Sequence, residues 1–276
     1  MTIFIILPCY NEEKSLQPLL SKVVTMKERT GHPIHIVAVN DGSKDFTEAV
    51  LRQWSVQVPM TIINHKINRG LGETSRDGFE TAAELANPDD VIVRMDADNT
   101  HEPDYIPSMV EKIERGYDVV IASRFQKGGG MEGVNAYRTF ISLCANLFMK
   151  CMFPIKGVRE YSCGFRAYRA EIIQVAIRIY GNEFVALKGL GFTCTLEKLV
   201  KLRHLGCRMT EVPFILKYNQ KSGGSKMLTS VTTLGYLTLA LLNIYPWGAM
   251  TKKWRNEARQ YRKTMKARPE LAAQES

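Results

Sequence analysis

The 276-residue sequence has no C-x-x-C pair and no cysteine–histidine spacing of the kind that holds zinc. Its six cysteines (Cys9, Cys144, Cys151, Cys163, Cys194 and Cys207) are scattered, which excludes a zinc module and points to a reducing, cytoplasmic compartment. A basic stretch ahead of an apolar one is also missing at the N-terminus. The apolar run at residues 3–7 is too short for a secretory signal. There is no internal repeat, and no separate second domain is expected. No nucleic-acid-binding motif accompanies the basic residues, so a nucleic-acid partner is not expected. The composition, 45% hydrophobic and 24% charged, sets aside collagen-like, mucin-like and disordered chains.

What is present is unevenly placed. The net charge is +9, and residues 251–276 carry eight basic side chains against three acids, so five of those nine charges sit in the last tenth of the chain. A local basic tail suits an anionic lipid surface or nucleic acid better than a catalytic pocket. Along roughly the first 125 residues, short apolar runs alternate with helix-periodic segments, the pattern of βαβ units on a parallel sheet. Strands are expected at residues 3–7, 35–39, 60–63, 91–95 and 118–122, with helices around Leu16–Val24, Ala49–Val50 and 74–85. A later apolar helix is expected at about 136–153 and a strand at 211–216. The polar motifs follow the strand ends, and in an open parallel sheet ligands bind beyond those carboxyl ends. Asp41 and Asp96-Ala97-Asp98 are therefore expected around one site.

Two carboxylates flanking one residue at the end of a strand point to the same side. As hard oxygen ligands they suit Mg²⁺ or Mn²⁺ held against phosphates. Asp96 and Asp98 are thus candidate metal ligands, with the ion acting as a Lewis acid on a departing diphosphate. The ordinary alternative for such a triplet is a loop or helix cap.

A set of short segments in a fixed order narrows the reading. These are Leu7-Pro8-Cys9-Tyr10-Asn11-Glu12, Val39-Asn40-Asp41-Gly42-Ser43 with Asp45 and Thr47, and Asn68-Arg69-Gly70-Leu71-Gly72. Met95-Asp96-Ala97-Asp98, His101 with Pro103, Ala122-Ser123-Arg124, Gly164-Phe165-Arg166-Ala167-Tyr168-Arg169 and Gly223-Gly224-Ser225-Lys226 continue the series. In this order they resemble family 2 glycosyltransferases of the GT-A fold, in particular the dolichol- or polyprenyl-phosphate mannose synthases. The resemblance implies an α/β, GT-A-like nucleotide-sugar-binding domain with a mostly parallel central sheet, plus C-terminal membrane-contacting helices. It implies inverting transfer of a hexose from GDP-mannose or a UDP-sugar to polyprenyl phosphate, with Mg²⁺ or Mn²⁺. Pro8, Tyr10, Asn11, Glu12, Asp41, Gly70, Gly72, Asp96, Ala97 and Asp98 would line the nucleotide pocket, Asp41 accepting from the base. Arg124, Arg138 and Ser142 would grip the acceptor phosphate, helped by Lys221 or Lys226. Departures from the family pattern fall at Asn40, Thr100, Glu160 and Gln220. If the acceptor is a hydroxyl instead, a general base is needed, and Glu102 or Asp104 is the candidate. A non-catalytic nucleotide-sugar binder is the remaining alternative.

Residues 227–251 carry no charge and could either span a bilayer or lie in its interface. Tyr245 and Trp247, followed by Lys252 and Lys253, read as a membrane boundary. The expected organisation is a catalytic unit at 1–226 that includes the interfacial helix at 136–153, an apolar helix at 227–251, and a basic tail at 252–276 on the cytoplasmic face.

Overall fold

Apolar runs without alternation are expected where both faces of a strand are covered, and the first strands follow that rule. They are β1 (Ile3–Cys9), β2 (Ile34–Asn40), β3 (Met60–Asn64), β4 (Val91–Arg94) and β5 (Val119–Ser123). The structure is a computed structural model and describes residues 1–220, 229–243 and 254–266. The helices between these strands are α1 (Glu13–Thr30), α2 (Thr47–Trp54), α3 (Leu71–Leu85) and α4 (Ile106–Glu114). After β5 come β6 (Gly130–Glu132), α5 (Ala136–Met152), β7 (Arg166–Arg169), α6 (Ala170–Tyr180), α7 (Thr193–Leu205), β8 (Met209–Pro213) and β9 (Ile215–Lys217). The last described helices are α8 (Thr229–Asn243) and α9 (Arg255–Lys266).

The main sheet has the order β3-β2-β1-β4-β7-β5-β8, and β6 pairs with β9 in a second, small sheet. All pairings in the main sheet are parallel except those of β7, which runs antiparallel to both β4 and β5. The result is an α/β fold with a mixed sheet. β7 is reversed because the excursion through β6 and α5 returns the chain to the sheet from its carboxyl edge. Side chains alternate between two cores. Phe4 and Ile6 pack with Phe79 of α3, Ile172 of α6 and Leu199 of α7. Ile3, Ile5 and Leu7 pack with Leu16 and Leu19 of α1, Leu51 of α2 and Met109 of α4.

The strand expected at 211–216 is two strands in two different sheets. At the break, the buried Phe214 ring packs edge-on against His101, Tyr105 and Phe165 with centroids 5.3–5.6 Å apart. Its N–H donates to Ser123 O at 3.0 Å. Aromatic packing therefore bends the chain out of the main sheet directly behind the loop that follows β4. No described helix is long and apolar enough to cross a membrane. The expected boundaries at 226 and 251, with Tyr245, Trp247, Lys252 and Lys253, lie outside the described residues.

Candidate active site

Three loops at the carboxyl ends of β1, β2 and β3 are tied together by side chains. Asn11 adopts φ 51°. Its N–H donates to Ser43 Oγ at 2.9 Å, and its Oδ1 accepts from Lys44 N–H at 2.8 Å. Glu12 N–H donates to Thr47 Oγ1 at 2.8 Å, and Thr47 in turn leans on Asp45. Pro8 is half-buried near the end of β1, Cys9 after it is buried, and Tyr10, Asn11 and Glu12 lead towards the surface. The buried Asp41 joins the third loop: its Oδ1 lies 2.7 Å from His65 Nδ1 and accepts from Arg69 N–H at 2.8 Å. Its Oδ2 accepts from Gly70 N–H at 2.9 Å. A carboxylate offers about four lone-pair positions, so most of Asp41's capacity holds the loop that carries Gly70. That duty was not legible in the sequence, because His65 belongs to no motif. On the far side of the ring, His65 Nε2 lies 2.9 Å from Asp77 Oδ2.

Gly70 precedes α3 and Gly72 lies in its first turn. A Cβ on Gly72 would come within 2.4 Å of Lys188 O, a backbone atom that cannot swing aside. Gly72→Ala is therefore expected to destabilise the protein by about 1–3 kcal/mol. Thermal denaturation checks this, and an unchanged midpoint would contradict the close approach.

The triplet after β4 alternates as expected: Ala97 is 2% exposed, while Asp96 and Asp98 are half-buried. Asp96 Oδ1 lies 2.7 Å from Arg94 Nη2. Asp96 N–H donates to His101 Nδ1 at 3.0 Å. That bond makes Nδ1 an acceptor, so the proton of the neutral ring belongs on Nε2. Burial lowers the His101 pKa against the pull of Asp96 and Asp98, which keeps the ring neutral. For Arg94, burial alone would lower the pKa, but the Asp96 carboxylate reverses it and holds the guanidinium above its ordinary value. Asp98 Oδ1 accepts from Thr100 Oγ1 at 2.6 Å, and Asn99 between them sits at φ 62°. Thr100, one of the departures, thus braces Asp98. A Cβ on Gly164 would lie 1.7 Å from Arg94 Nη1, so this glycine leaves the space that Arg94 fills.

Among the described residues no three His, Cys, Asp or Glu side chains converge on a metal position. Asp96 and Asp98 nonetheless form a hard oxygen pair on a half-exposed turn. That donor set fits Mg²⁺ or Mn²⁺ when phosphate oxygens and water complete the shell.

Arg124 follows β5, and its guanidinium forks onto a carboxylate of the protein. Nε donates to Glu160 Oε2 at 2.7 Å, and Nη2 donates to Glu160 Oε1 at 2.9 Å and to Ser162 Oγ at 2.6 Å. The planar edge that would clasp a phosphate in two-point fashion is thus turned to Glu160, while Nη1 lies 3.8 Å from Met131 Sδ. Glu160 is fully buried. Burial would raise its pKa, but Arg124, Ser162 and the Cys163 N–H together hold it below the ordinary value.

Residues 4–175 match the family model described as glycosyl transferase family 2. The chain belongs to that family. It is 32% identical to a dolichol-phosphate mannosyltransferase of Pyrococcus furiosus, over 86% of this chain and 62% of that protein. This chain therefore spans less than two thirds of that archaeal relative. It is 29% identical to an undecaprenyl-phosphate mannosyltransferase of Micrococcus luteus, over 92% of this chain and 96% of the relative. Among solved structures, glucosyl-3-phosphoglycerate synthase from Mycobacterium tuberculosis, in a crystal with Mn²⁺, UDP and phosphoglyceric acid, gives a TM-score of 0.54 at 16% identity. That match covers 87% of this chain and 78% of the other, and it shows a shared GT-A-like fold.

For a family 2 chain, the departures turn out to be structural. Asn40 is buried, donates to Asn64 Oδ1 at 2.9 Å and accepts from Ser43 N–H at 3.3 Å. Gln220 Oε1 accepts from Lys22 Nζ at 2.8 Å, and the same ammonium donates to Asn99 Oδ1 and Glu102 Oε1, each at 3.0 Å. Lys22 thereby joins α1, the loop behind Asp98 and the end of the described sheet region. No motif contains it, and only the fold brings those partners within reach. Arg138 and Ser142 lie one helical turn apart on α5, with Ser142 half-buried. Lys221 and Lys226 lie outside the described residues. The two candidate bases are both paired. Asp104 meets Arg29 at 3.0 Å at the surface. Glu102 meets Lys22 at 3.0 Å and Lys217 at 3.3 Å. Burial would raise the pKa of Glu102, but the two ammonium groups hold it below its ordinary value.

Proposed function

We propose that this family 2 member is an inverting hexosyltransferase, moving a sugar from GDP-mannose or a UDP-sugar to a polyprenyl or dolichyl phosphate at the cytoplasmic face of a membrane. The observation that carries the acceptor half of this reading is the exposed apolar surface of α5. Phe140 and Leu147 are 62% and 63% exposed, and Tyr137, Leu143 and Phe148 are exposed beside them. Such a helix suits a bilayer interface, where an acceptor headgroup would lie beside Arg138 and Ser142. α8 adds Leu234, Leu237 and Leu241 to the exposed apolar surface. The names of the two relatives, both lipid-phosphate mannosyltransferases, support the same class of acceptor. In this reading residues 1–226 form the catalytic unit, 227–251 contact the membrane, and 252–276 meet its anionic surface.

The mechanism needs few parts. Pro8, Tyr10, Asn11, Glu12 and the Asp41-braced loop would hold the nucleotide, and Asp96 and Asp98 would hold a divalent ion beside it. When bound, the ion supplies Lewis-acid neutralisation of the leaving group. Arg94, 2.7 Å away, fixes the position of Asp96, and Thr100 fixes the orientation of Asp98. A phosphate monoester has its second pKa near ~6 and is already a nucleophilic anion at neutral pH. Its oxygen attacks the anomeric carbon as the bond to the diphosphate breaks on the opposite face, which inverts the configuration. No side-chain base is required. That agrees with a Glu102 held by two lysines, and it weighs against a hydroxyl acceptor.

Phe140→Asp combined with Leu147→Asp tests the membrane half. Vesicle binding and transfer to vesicle-borne polyprenyl phosphate are expected to fall by about tenfold or more. Donor hydrolysis in buffer should stay unchanged. Undiminished lipid transfer by this variant would remove α5 as the docking surface.

A further inference from the structure

A cavity of about 420 Å³ lies between α7, α8 and α9, away from the loops just described. α7 begins beside the catalytic edge, where Thr195 O accepts from Arg166 Nη1 at 2.7 Å and Arg166 is in register with Arg94 at the end of β4. The 13 residues of α7 then carry it about 20 Å. It ends next to the start of β8, at the amino edge of the sheet. The cavity is at that far end.

Its wall is cationic, with Lys201, Arg203 and His204 from α7 and Arg259 and Arg262 from α9. Lys201 is satisfied internally: its Nζ lies 2.6 Å from Glu197 Oε1 and rests over the rings of Tyr180 and Trp254 at 5.8 and 5.9 Å. Glu197, the acid in the described lining, also accepts from Ala186 and Leu187 N–H at 3.0 Å. Among the described residues no carboxylate forms an ion pair with Arg203, Arg259 or Arg262. Burial, then Arg203, Arg262 and Lys201, push the His204 pKa below its ordinary value, so the ring adds no charge of its own but registers the surrounding ones.

Apolar contacts hold these like charges together. Trp254, Ala258 and Met265 are buried and seat α9 on the core. The stem of Arg262 crosses the end of α7, where a Cβ on Gly206 would come within 2.8 Å of its Cγ. Three guanidinium groups from two helices therefore line one cavity, with no partner carboxylate among the described residues. Guanidinium forks match phosphate oxygens in geometry and charge.

We propose that this cavity is a binding site for a phosphate-bearing anion, distinct from the donor and acceptor sites. It stands whether or not the acceptor is a lipid phosphate, because none of its residues belongs to the catalytic loops. The ligand is either a soluble phosphate compound or the headgroup of an anionic lipid reaching in beside the apolar surface of α8.

The test uses the full chain and two probes: inorganic phosphate, and phosphatidylcholine vesicles with and without phosphatidylglycerol. Thermal midpoint and tryptophan fluorescence report the first probe, and co-sedimentation reports the second. Arg259→Gln with Arg262→Gln is compared with a charge-matched control, Lys27→Gln with Lys263→Gln. The arginine pair is expected to weaken the response to one probe by about tenfold or more, and the control to leave it intact. A response confined to phosphate assigns a soluble ligand; one confined to phosphatidylglycerol vesicles assigns a lipid headgroup. Arg203→Gln, on the other helix, should weaken the same probe and carries the test if the double variant fails to fold by circular dichroism. Binding of both probes by the arginine variants as tightly as by the control overturns the site.

Discussion

Asp98→Ala is expected to lower sugar transfer by on the order of 10²–10³-fold while leaving the protein folded. The magnitude is that of removing one preorganised group that meets charge as it develops on a leaving group. The side chain is half-buried and its local bracing comes from Thr100, at 2.6 Å, so its loss opens no cavity in either core. The effect should appear in kcat, with the residual rate no longer responding to added Mg²⁺ or Mn²⁺. Asp98→Asn separates charge from shape, because it keeps the size and one acceptor oxygen but removes the anion. An Asp98→Ala protein active in chelator-treated buffer would show that the acid pair does not hold an ion.

Glu160→Gln is expected to cost stability rather than chemistry. Arg124 is nearly buried and Glu160 fully so, with a bidentate contact between them at 2.7 and 2.9 Å. Removing one partner of such a pair leaves an uncompensated buried charge, worth about 3–5 kcal/mol. For a chain of this size the thermal midpoint should fall by roughly 10 °C. The shorter Glu160→Asp keeps the carboxylate and should lose much less. The pair also sets a direction for pH dependence. The folded pKa of Glu160 is depressed, so its stabilisation is fully present above the unfolded carboxylate value, about 4.3, and is lost as pH falls through the folded value. The wild-type midpoint should therefore drop on acidification below about pH 4, and Glu160→Gln should show a smaller drop there. An unchanged midpoint for Glu160→Gln at pH 7 would contradict the account of Arg124.

Much of the fold was legible because its strands are unusually plain. β1, β2, β4 and β5 are apolar on both faces, and each is followed by a turn with the polar residues of a site. β7 was hidden for the opposite reason. Its ends are Arg166 and Arg169, yet Arg166 is fully buried and finds partners in Thr195 O and Tyr161 O at 2.7 Å. α7 was hidden likewise, since Glu197, Lys198 and Lys201 are buried among its leucines and break the periodicity that marks an amphipathic helix. Lys198 donates to Ser75 Oγ at 3.0 Å, and burial lowers its pKa to about 8.

In the site, what the sequence carried was the order of the motifs, which placed Asp41 and the acid pair at one edge. What it could not carry was how each carboxylate is engaged. Asp41 reads as a base-binding acid, but its oxygens hold a loop through His65, Arg69 and Gly70. Arg124 reads as a phosphate clasp, but its fork faces Glu160. Both depend on partners 24 to 36 residues away in the chain, which only the sheet order brings together.

The central claim is transfer of a sugar onto a lipid phosphate. It is tested most directly by incubating the protein with polyprenyl phosphate, Mg²⁺ or Mn²⁺, and radiolabelled GDP-mannose, UDP-glucose or UDP-N-acetylglucosamine in parallel, then extracting with organic solvent. The account predicts label in the organic phase with one of the donors, in a product of inverted anomeric configuration. Donor turnover with all label left in the aqueous phase, on a hydroxyl-bearing acceptor or as free sugar, would contradict it.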